Sequence, residues 1–292
     1  MVHQEAVLGQ FLRSRRQAAR PAPEQLISSG ARQVPGLRRE EVAAKAGVSV
    51  DYYTRLEQGR KNAPSEEVLS AIALALGMSL VERQHLFDLA RATRPLRRSS
   101  PAQSARPGLM NLMETIGDIP AVLHGRGTDI LAVNEAARAV IADFYAKPSR
   151  ERNIARWFFL DKESRIFEDW ENVAAHVAGM LRLDFGRHPG DRRLQSLVAE
   201  LNSQSSDFRR LWTLHYVAVD FPRRKLINHP AVGSLRFDME EVSPKADRDQ
   251  TLDIFMPRDT QTKSAVARLL ASRRTGAAET ASPALALPEQ WE

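Results

Sequence analysis

Cysteine is absent from the 292 residues. That excludes disulfides, thiolate zinc sites, iron–sulfur clusters and thiol-based redox sensing. No apolar run reaches the roughly 18 residues a membrane-spanning helix needs, and no basic-then-apolar leader opens the chain, so a cytoplasmic protein is expected. Catalytic signatures are missing as well. There is no Gly-x-Ser-x-Gly, His-Glu-x-x-His, Gly-x-Gly-x-x-Gly or phosphate-cradling glycine loop, and no carboxylate pair reads as acid and base. An enzyme is therefore not expected. His176, His188, His215 and His229 show no i,i+4 or closer pairing, which argues against a metal site.

Negative charge is scarce in one part of the chain only. The net charge of +6 conceals an asymmetry: residues 1–107 carry 17 Lys/Arg against 10 Asp/Glu, and residues 108–292 carry 25 against 26. A positive excess confined to one end is the electrostatic footprint of a phosphate-binding segment. Arginine kept for solubility would not be confined in this way.

The positive segment holds the most legible motif. Leu37 to Arg60 reads as two short helices joined by a tight turn at Ala46-Gly47-Val48. Val42, Ala43 and Ala46 give the first helix an apolar face. Gly47 tolerates the positive φ of a sharp reversal, and Ser49 suits the N-cap of the second helix. Tyr53 and Leu56 form that helix's buried stripe, and Gly59 closes it. Val50, Asp51, Tyr52, Thr54 and Arg55 are expected to point outward, as a helix entering a major groove requires. A lone turn glycine fits any helical hairpin; the flanks strengthen the reading. Leu8, Phe11 and Leu12 predict a helix from about Val7 to Gln17. Ser65 caps another with Val68, Leu69, Ile72 and Leu76 inward, and Ser79 to Glu82 has capping-box spacing before Leu86 and Leu89. The expectation is an all-α, five-helix bundle with the reader third.

Within it, Ser49, Val50, Asp51, Thr54 and Arg55 are candidate base contacts. Arg55 suits guanine O6/N7, and equally a phosphate or an i−4 pair with Asp51. Arg38, Arg39, Arg60, Lys61, Asn62 and Ser65 are candidate phosphate contacts, which position without reading sequence. The expected partner is double-stranded DNA, bound as a homodimer on a pseudo-palindrome.

Arg94 to Pro107 has three prolines, three serines and no helical or strand period, the mark of a linker. It divides the chain into a DNA-binding domain at 1–93, a linker at 94–107, a second domain at 108–274 and a disordered tail at 275–292. The second domain is mixed. Ala121–His124 and Asp129–Val133 flank Gly125-Arg-Gly127 as a hairpin, and helical periods dominate from Glu135 to about Leu214. Strand-like runs return at Tyr216–Val219, Lys225–Asn228, Gly233–Glu240 and Gln250–Phe255, before a last helix at about Lys263–Ser272. Two strands, several helices, then three strands predict an α+β domain: an antiparallel sheet of about five strands with helices on one face. The aromatics concentrate here. Core packing accounts for most of them, and an apolar chamber between sheet and helices is the functional alternative.

These residues also carry a family resemblance. Pro35-Gly-Leu-Arg-Arg-Glu-Glu-Val-Ala43, Ala46-Gly-Val-Ser49 and Tyr52 to Arg60 resemble the XRE-type helix-turn-helix of the MmyB-like transcription regulators. The likeness continues in order through Pro120-Ala-Val-Leu123, Leu131-Ala-Val-Asn134, Arg152-Asn153, Phe159-Leu-Asp161, Asp169-Trp170, Phe208-Arg-Arg-Leu-Trp212, His215 and His229-Pro-Ala-Val-Gly233, covering residues 5–272. It departs at His215-Tyr216, where the family more often has His-Asp, and at Asp220-Phe-Pro-Arg-Arg224, where a glycine turn is commoner. The resemblance implies a PAS-like second domain that binds a small apolar ligand, of the fatty-acid class, with no other cofactor. A carboxylate head would need a donor within apolar walls. Arg152, Asn153, Arg156, Arg210, His215 and His229 are the candidates, with Phe144, Trp157, Trp170 and Trp212 as walls. The alternative is a protein-interaction or dimerisation module with no small-molecule ligand.

Overall fold

Residues 4–20, 36–60, 64–91, 103–217, 223–245 and 247–280 are described by a computed structural model. Helices α1 (Gln4–Ala18), α2 (Arg39–Ala46), α3 (Val50–Glu57), α4 (Glu66–Ala75) and α5 (Leu80–Arg91) follow the expected apolar stripes. Phe11, Leu12, Val42, Tyr53, Ile72 and Leu86 meet in one core. The ends form for the reasons their residues suggest. Gly47, at φ 66°, closes α2, and the Ser49 hydroxyl accepts the Tyr52 N–H at 3.1 Å to open α3. Ser79 and Glu82 cap each other reciprocally at 2.9 and 3.3 Å. Tyr52, expected outward, instead packs half-buried against the core.

The second unit runs α6 (Pro107–Thr115), β1 (Ala121–His124), β2 (Ile130–Val133), α7 (Glu135–Val140), α8 (Ile154–Leu160), α9 (Trp170–Arg187), α10 (Arg192–Gln204), α11 (Ser206–Thr213), β3 (Arg224–His229), β4 (Gly233–Val242), β5 (Thr251–Pro257) and α12 (Thr260–Thr280). The strands form a five-stranded antiparallel sheet in the order β2-β1-β5-β4-β3. Its inner face, with Val122, Ile227, Phe237 and Phe255, meets the helices from α7 to α12 in the larger core. Helices do not keep to one face, however. Alternate residues Ala121, Leu123, Leu252 and Ile254 point the other way and are covered by Leu109 and Met113 of α6. Strand β1 is buried along its whole length for this reason.

Three boundaries differ from expectation. Gln103 and Arg106, placed in the linker, are tied to the second unit: Gln103 Oε1 accepts the Arg126 N–H at 2.9 Å, and Gln250 Oε1 accepts the Arg106 N–H at 3.0 Å. The final helix extends to Thr280, into the segment expected to be disordered. Tyr216 and Val217 do not begin a strand. Val217 leaves its own unit and is fully buried in the core of the N-terminal bundle, a burial worth about 1.5–3 kcal/mol. The rest of that predicted strand lies outside the described residues.

Val217 belongs to a seam between the two units. Leu183 of α9 packs on the bundle core. Gly186, one turn on, lies so close to α5 that a Cβ there would sit 2.5 Å from the His85 ring. His85 is buried and meets Phe11 edge to face at 4.9 Å. Arg15 pairs with Glu82 and donates to the His215 carbonyl at 3.4 Å. Arg182 is also buried. It stacks 4.0 Å over the Trp212 ring, donates to the Trp212 carbonyl and approaches His215 Nδ1 at 3.1 Å. Among the described residues no carboxylate pairs with it, and burial, aided by Arg15, pushes it down to about 9.

Burial, with the surrounding Arg182 and Arg187, pushes His85 down to about 3. Its folded form therefore resists a proton that the unfolded chain accepts below about 6.5, so stability is full above that pH and falls as pH drops toward 3. Urea unfolding is expected to lose about 2 kcal/mol through this group between about pH 8 and pH 5. His85→Leu should flatten that slope; an unchanged slope would assign the effect elsewhere.

Candidate functional site

Two surfaces carry the chemistry. The first is α3. Ser49, Val50, Asp51 and Arg55 are exposed along it and Thr54 is half-buried, so these five share one outward surface. Arg55 is engaged with Asp51, one turn earlier, at 3.0 Å. This is the intrahelical alternative, and both side chains are solvated enough to exchange it for another partner. Arg60 is exposed beyond Gly59, and Ser65 caps α4 by accepting the Val68 N–H at 3.4 Å. Arg38 is half-exposed at the start of α2, with Glu40 at 3.8 Å. Lys61 and Asn62 lie outside the described residues.

What sets the pitch of α3 is its last residue. Glu57 is buried and accepts from Arg16 Nε and Nη2, both at 2.9 Å. Arg39 reaches the same carboxylate at 3.0 Å and Arg13 at 3.3 Å, while Arg16 also donates to the Leu37 carbonyl at 2.9 Å. Burial would raise the Glu57 carboxyl, but Arg16 and Arg39 outweigh it and hold the group below the usual range. Arg39, a candidate phosphate contact, is thus a strut between α2 and α3.

The second surface is internal. A cavity of about 50 Å³ lies between the inner sheet face and the helices, walled by Val122, Phe144, Trp157, Phe158, Val177 and Phe255 among others. Three of its lining residues are polar: His176 of α9, Lys225 of β3 and Asp253 of β5. Strand register explains the polar floor. Asp253 lies opposite Val122 on one side and Glu241 on the other, and directly opposed residues share a face. His124 Nε2 faces Asp253 Oδ2 at 3.5 Å, and His176 faces Glu241 at 3.4 Å. Burial would depress His124, but the Asp253 carboxylate outweighs it and leaves the ring above its usual value. Hydrogen bonding from His176 holds Glu241 below the carboxylate range. Burial pushes the Lys225 amine down to about 7, against the pull of Asp169, Glu241 and Asp253.

Of the expected ligand residues, Phe144 and Trp157 line this cavity. Trp170 is buried beside it, its indole N–H donated to Ser164 at 3.2 Å, and Trp212 lies at the seam under Arg182. None of the six expected donors lines the cavity. Each is used elsewhere. Arg152 lines a separate polar hollow of about 430 Å³ and donates to the Lys147 carbonyl at 3.0 Å. Asn153 caps α8 and donates to the Gly127 carbonyl at 2.7 Å. Arg156 pairs with Glu200, and Arg210 with Glu171 at 2.6 Å. His215 belongs to the seam, and His229 Nε2 meets the Ala139 carbonyl at 3.1 Å.

Comparison with known proteins matches both units of the chain. Residues 7–86 match the helix-turn-helix domain family. A stretch of 51 residues is 47% identical to the uncharacterized HTH-type transcriptional regulator y4dJ of Sinorhizobium fredii, covering 18% of this chain and 65% of that relative. Residues 105–270, more than half of the chain, match the MmyB-like transcription regulator ligand binding domain. The chain belongs to the MmyB-like transcription regulators. It joins a helix-turn-helix domain to an MmyB-like ligand-binding domain. No described helix of this regulator is long and apolar enough to cross a membrane.

The polar floor was legible in the regulator's sequence only as an oddity. Lys225 sits two residues before Ile227 in β3, and Asp253 two before Phe255 in β5, so period two places each charge on the apolar face.

Glu57→Gln keeps the shape of the side chain and removes the charge that Arg16 is buried against. Chemical denaturation is expected to show a loss of about 3–5 kcal/mol, as for breaking a buried ion pair. A loss below about 1 kcal/mol would mean that solvent already compensates these arginines.

Proposed function

We propose that this regulator acts in the cytoplasm as a homodimer, reads its operator with α3, and changes its affinity when a small apolar ligand of the fatty-acid class enters the internal cavity. The sheet with its overlying helices is then the PAS-like sensor that the family resemblance implies. One observation carries the reading. Helix α9 roofs the cavity through Val173, His176, Val177 and Met180, and through Leu183 and Gly186 it packs on the DNA-binding bundle. The cavity, at about 50 Å³, is far below the roughly 300–1,000 Å³ of typical small-molecule sites. Entry of a ligand must therefore displace a wall, and the wall formed by α9 continues into the seam. Differential fit of the ligand to the two wall positions is what would shift the equilibrium between them.

Native mass spectrometry and lipid extraction of the purified protein are expected to release a bound apolar molecule. Operator affinity should change on adding fatty acids of increasing length. Unchanged affinity across the series would remove the sensor role and leave a protein-interaction module.

For DNA, Arg55→Ala is expected to cost about 1–3 kcal/mol and to relax preference at one base pair. Equal weakening on every sequence would assign Arg55 to the phosphates instead.

A further inference from the structure

The polar hollow of about 430 Å³ shares no lining residue with the internal cavity. It opens between the turn joining β1 to β2, the short turn Ser149–Glu151 and the start of α10. Its volume falls within the roughly 300–1,000 Å³ of small-molecule sites. Ile130, Leu194 and Leu197 give it an apolar wall, and charged side chains line it elsewhere.

The sign of its ligand follows from which of those charges are already matched. Asp129 grips Arg193 with both oxygens, at 2.9 and 2.7 Å, and also accepts from Asn153. Asp191 caps α10 with one oxygen, accepting the Arg193 and Leu194 N–H groups, and faces Arg126 at 3.2 Å with the other. Arg126 gives its remaining edge to Asp249, which His188 and Arg187 also approach. Each lining carboxylate is thus matched to a guanidinium, and its oxygens are occupied.

Arg152 differs. Among the described residues no carboxylate pairs with it. Its Nε donates to the Lys147 carbonyl at 3.0 Å, Nη2 donates to the Tyr145 carbonyl at 3.2 Å, and the guanidinium lies 5.1 Å over the Tyr145 ring. Two of its five N–H groups are used in this way and three remain. These contacts are to uncharged groups, so they order the guanidinium without neutralising it, and a ligand need not meet that ordering cost. Ser149, exposed on the rim, lies one turn earlier and its carbonyl accepts the Arg152 N–H at 3.3 Å. Its hydroxyl is engaged by no described residue.

One unmatched positive charge with a planar set of donors, facing an apolar wall, defines the partner. A carboxylate supplies one negative charge and two coplanar acceptors. A phosphate monoester, closer to two charges, would bring its excess against Asp129 and Asp191. An uncharged group would leave the guanidinium unmatched. We propose that the hollow binds a small monocarboxylate with a compact apolar body, its carboxylate on Arg152 and Ser149 and its body against Ile130, Leu194 and Leu197. This site stands whether or not the internal cavity takes a ligand.

Naphthalene-2-carboxylate, naphthalene-2-carboxamide and 2-naphthyl phosphate share a body and differ at the head. Each is titrated into the full-length protein at mildly alkaline pH, with binding read by calorimetry. The carboxylate is expected to bind at least about tenfold more tightly than the carboxamide, and more tightly than the phosphate. Arg152→Gln and Ser149→Glu should each abolish the preference for carboxylate over carboxamide. The first removes the guanidinium, and the second gives it a carboxylate from an exposed position of the chain itself. Thermal melts check the fold of both. Equal binding of acid and amide, or no binding of the acid, overturns the site. So does a preference that survives Ser149→Glu, because the anion then sits elsewhere. Tightest binding by the phosphate overturns the monocarboxylate class. The series on the natural protein and Ser149→Glu decide even where Arg152→Gln does not fold.

Discussion

Helix α9 has to satisfy two hydrophobic cores at once, and most of the architecture follows from that constraint. Its first turns complete the core over the sheet, and its last turns complete the face of the DNA-binding bundle. A close-packed interior transmits a displacement rather than absorbing it. Gly186 makes the coupling tight, since the approach of α9 to His85 leaves no room for even a methyl group. Val217 adds a second tether, inserted into the bundle a few residues after α11 and a few before β3. The two units therefore share core residues, which a flexible linker alone would not require.

The seam is held by unusual electrostatics. Arg182 is buried without a carboxylate and relies on an aromatic face, a carbonyl and a histidine ring. His85 and His215 are pushed down to about 3 and about 4, by burial first and by the neighbouring arginines next, so both rings remain neutral around the guanidinium. The Arg182 guanidinium makes charge-assisted hydrogen bonds to uncharged acceptors, and the seam carboxylate Glu82 is taken by Arg15. Helix α3 shows the opposite strategy. Glu57 binds α3 to α1 and α2 through a buried carboxylate and several arginines, which suits an element that must keep its shape.

How far the sequence disclosed all this depended on how local the cause was. Helices α2 and α3, the Ser49 cap and the left-handed Gly47 follow from residues within a few positions of one another, and they formed as read. Apolar alternation likewise located β1 to β5 to within a few residues. The Tyr216–Val219 run shows the limit of periodicity. Alternation marks a burial partner without naming it, and for Val217 the partner was another domain. The donors expected in the ligand site lie outside the cavity for a related reason. Arginines on helix surfaces have carboxylates within reach, as Arg156 and Arg210 do, so their presence near aromatics says nothing about a cavity. Asp253 and Lys225 sit inside because strand register leaves them no other face.

By itself, then, the sequence determined the elements, the helix-turn-helix motif and the confinement of positive charge to the N-terminal segment, because propensity, capping and charge are properties of neighbouring residues. Only the tertiary structure decided which side chains surround the cavity, that Arg39 serves Glu57, and that one helix joins the sheet domain to the helix-turn-helix bundle. Those outcomes depend on which faces meet across long sequence separations. The free energy of such contacts comes from packing and desolvation that no single segment contains.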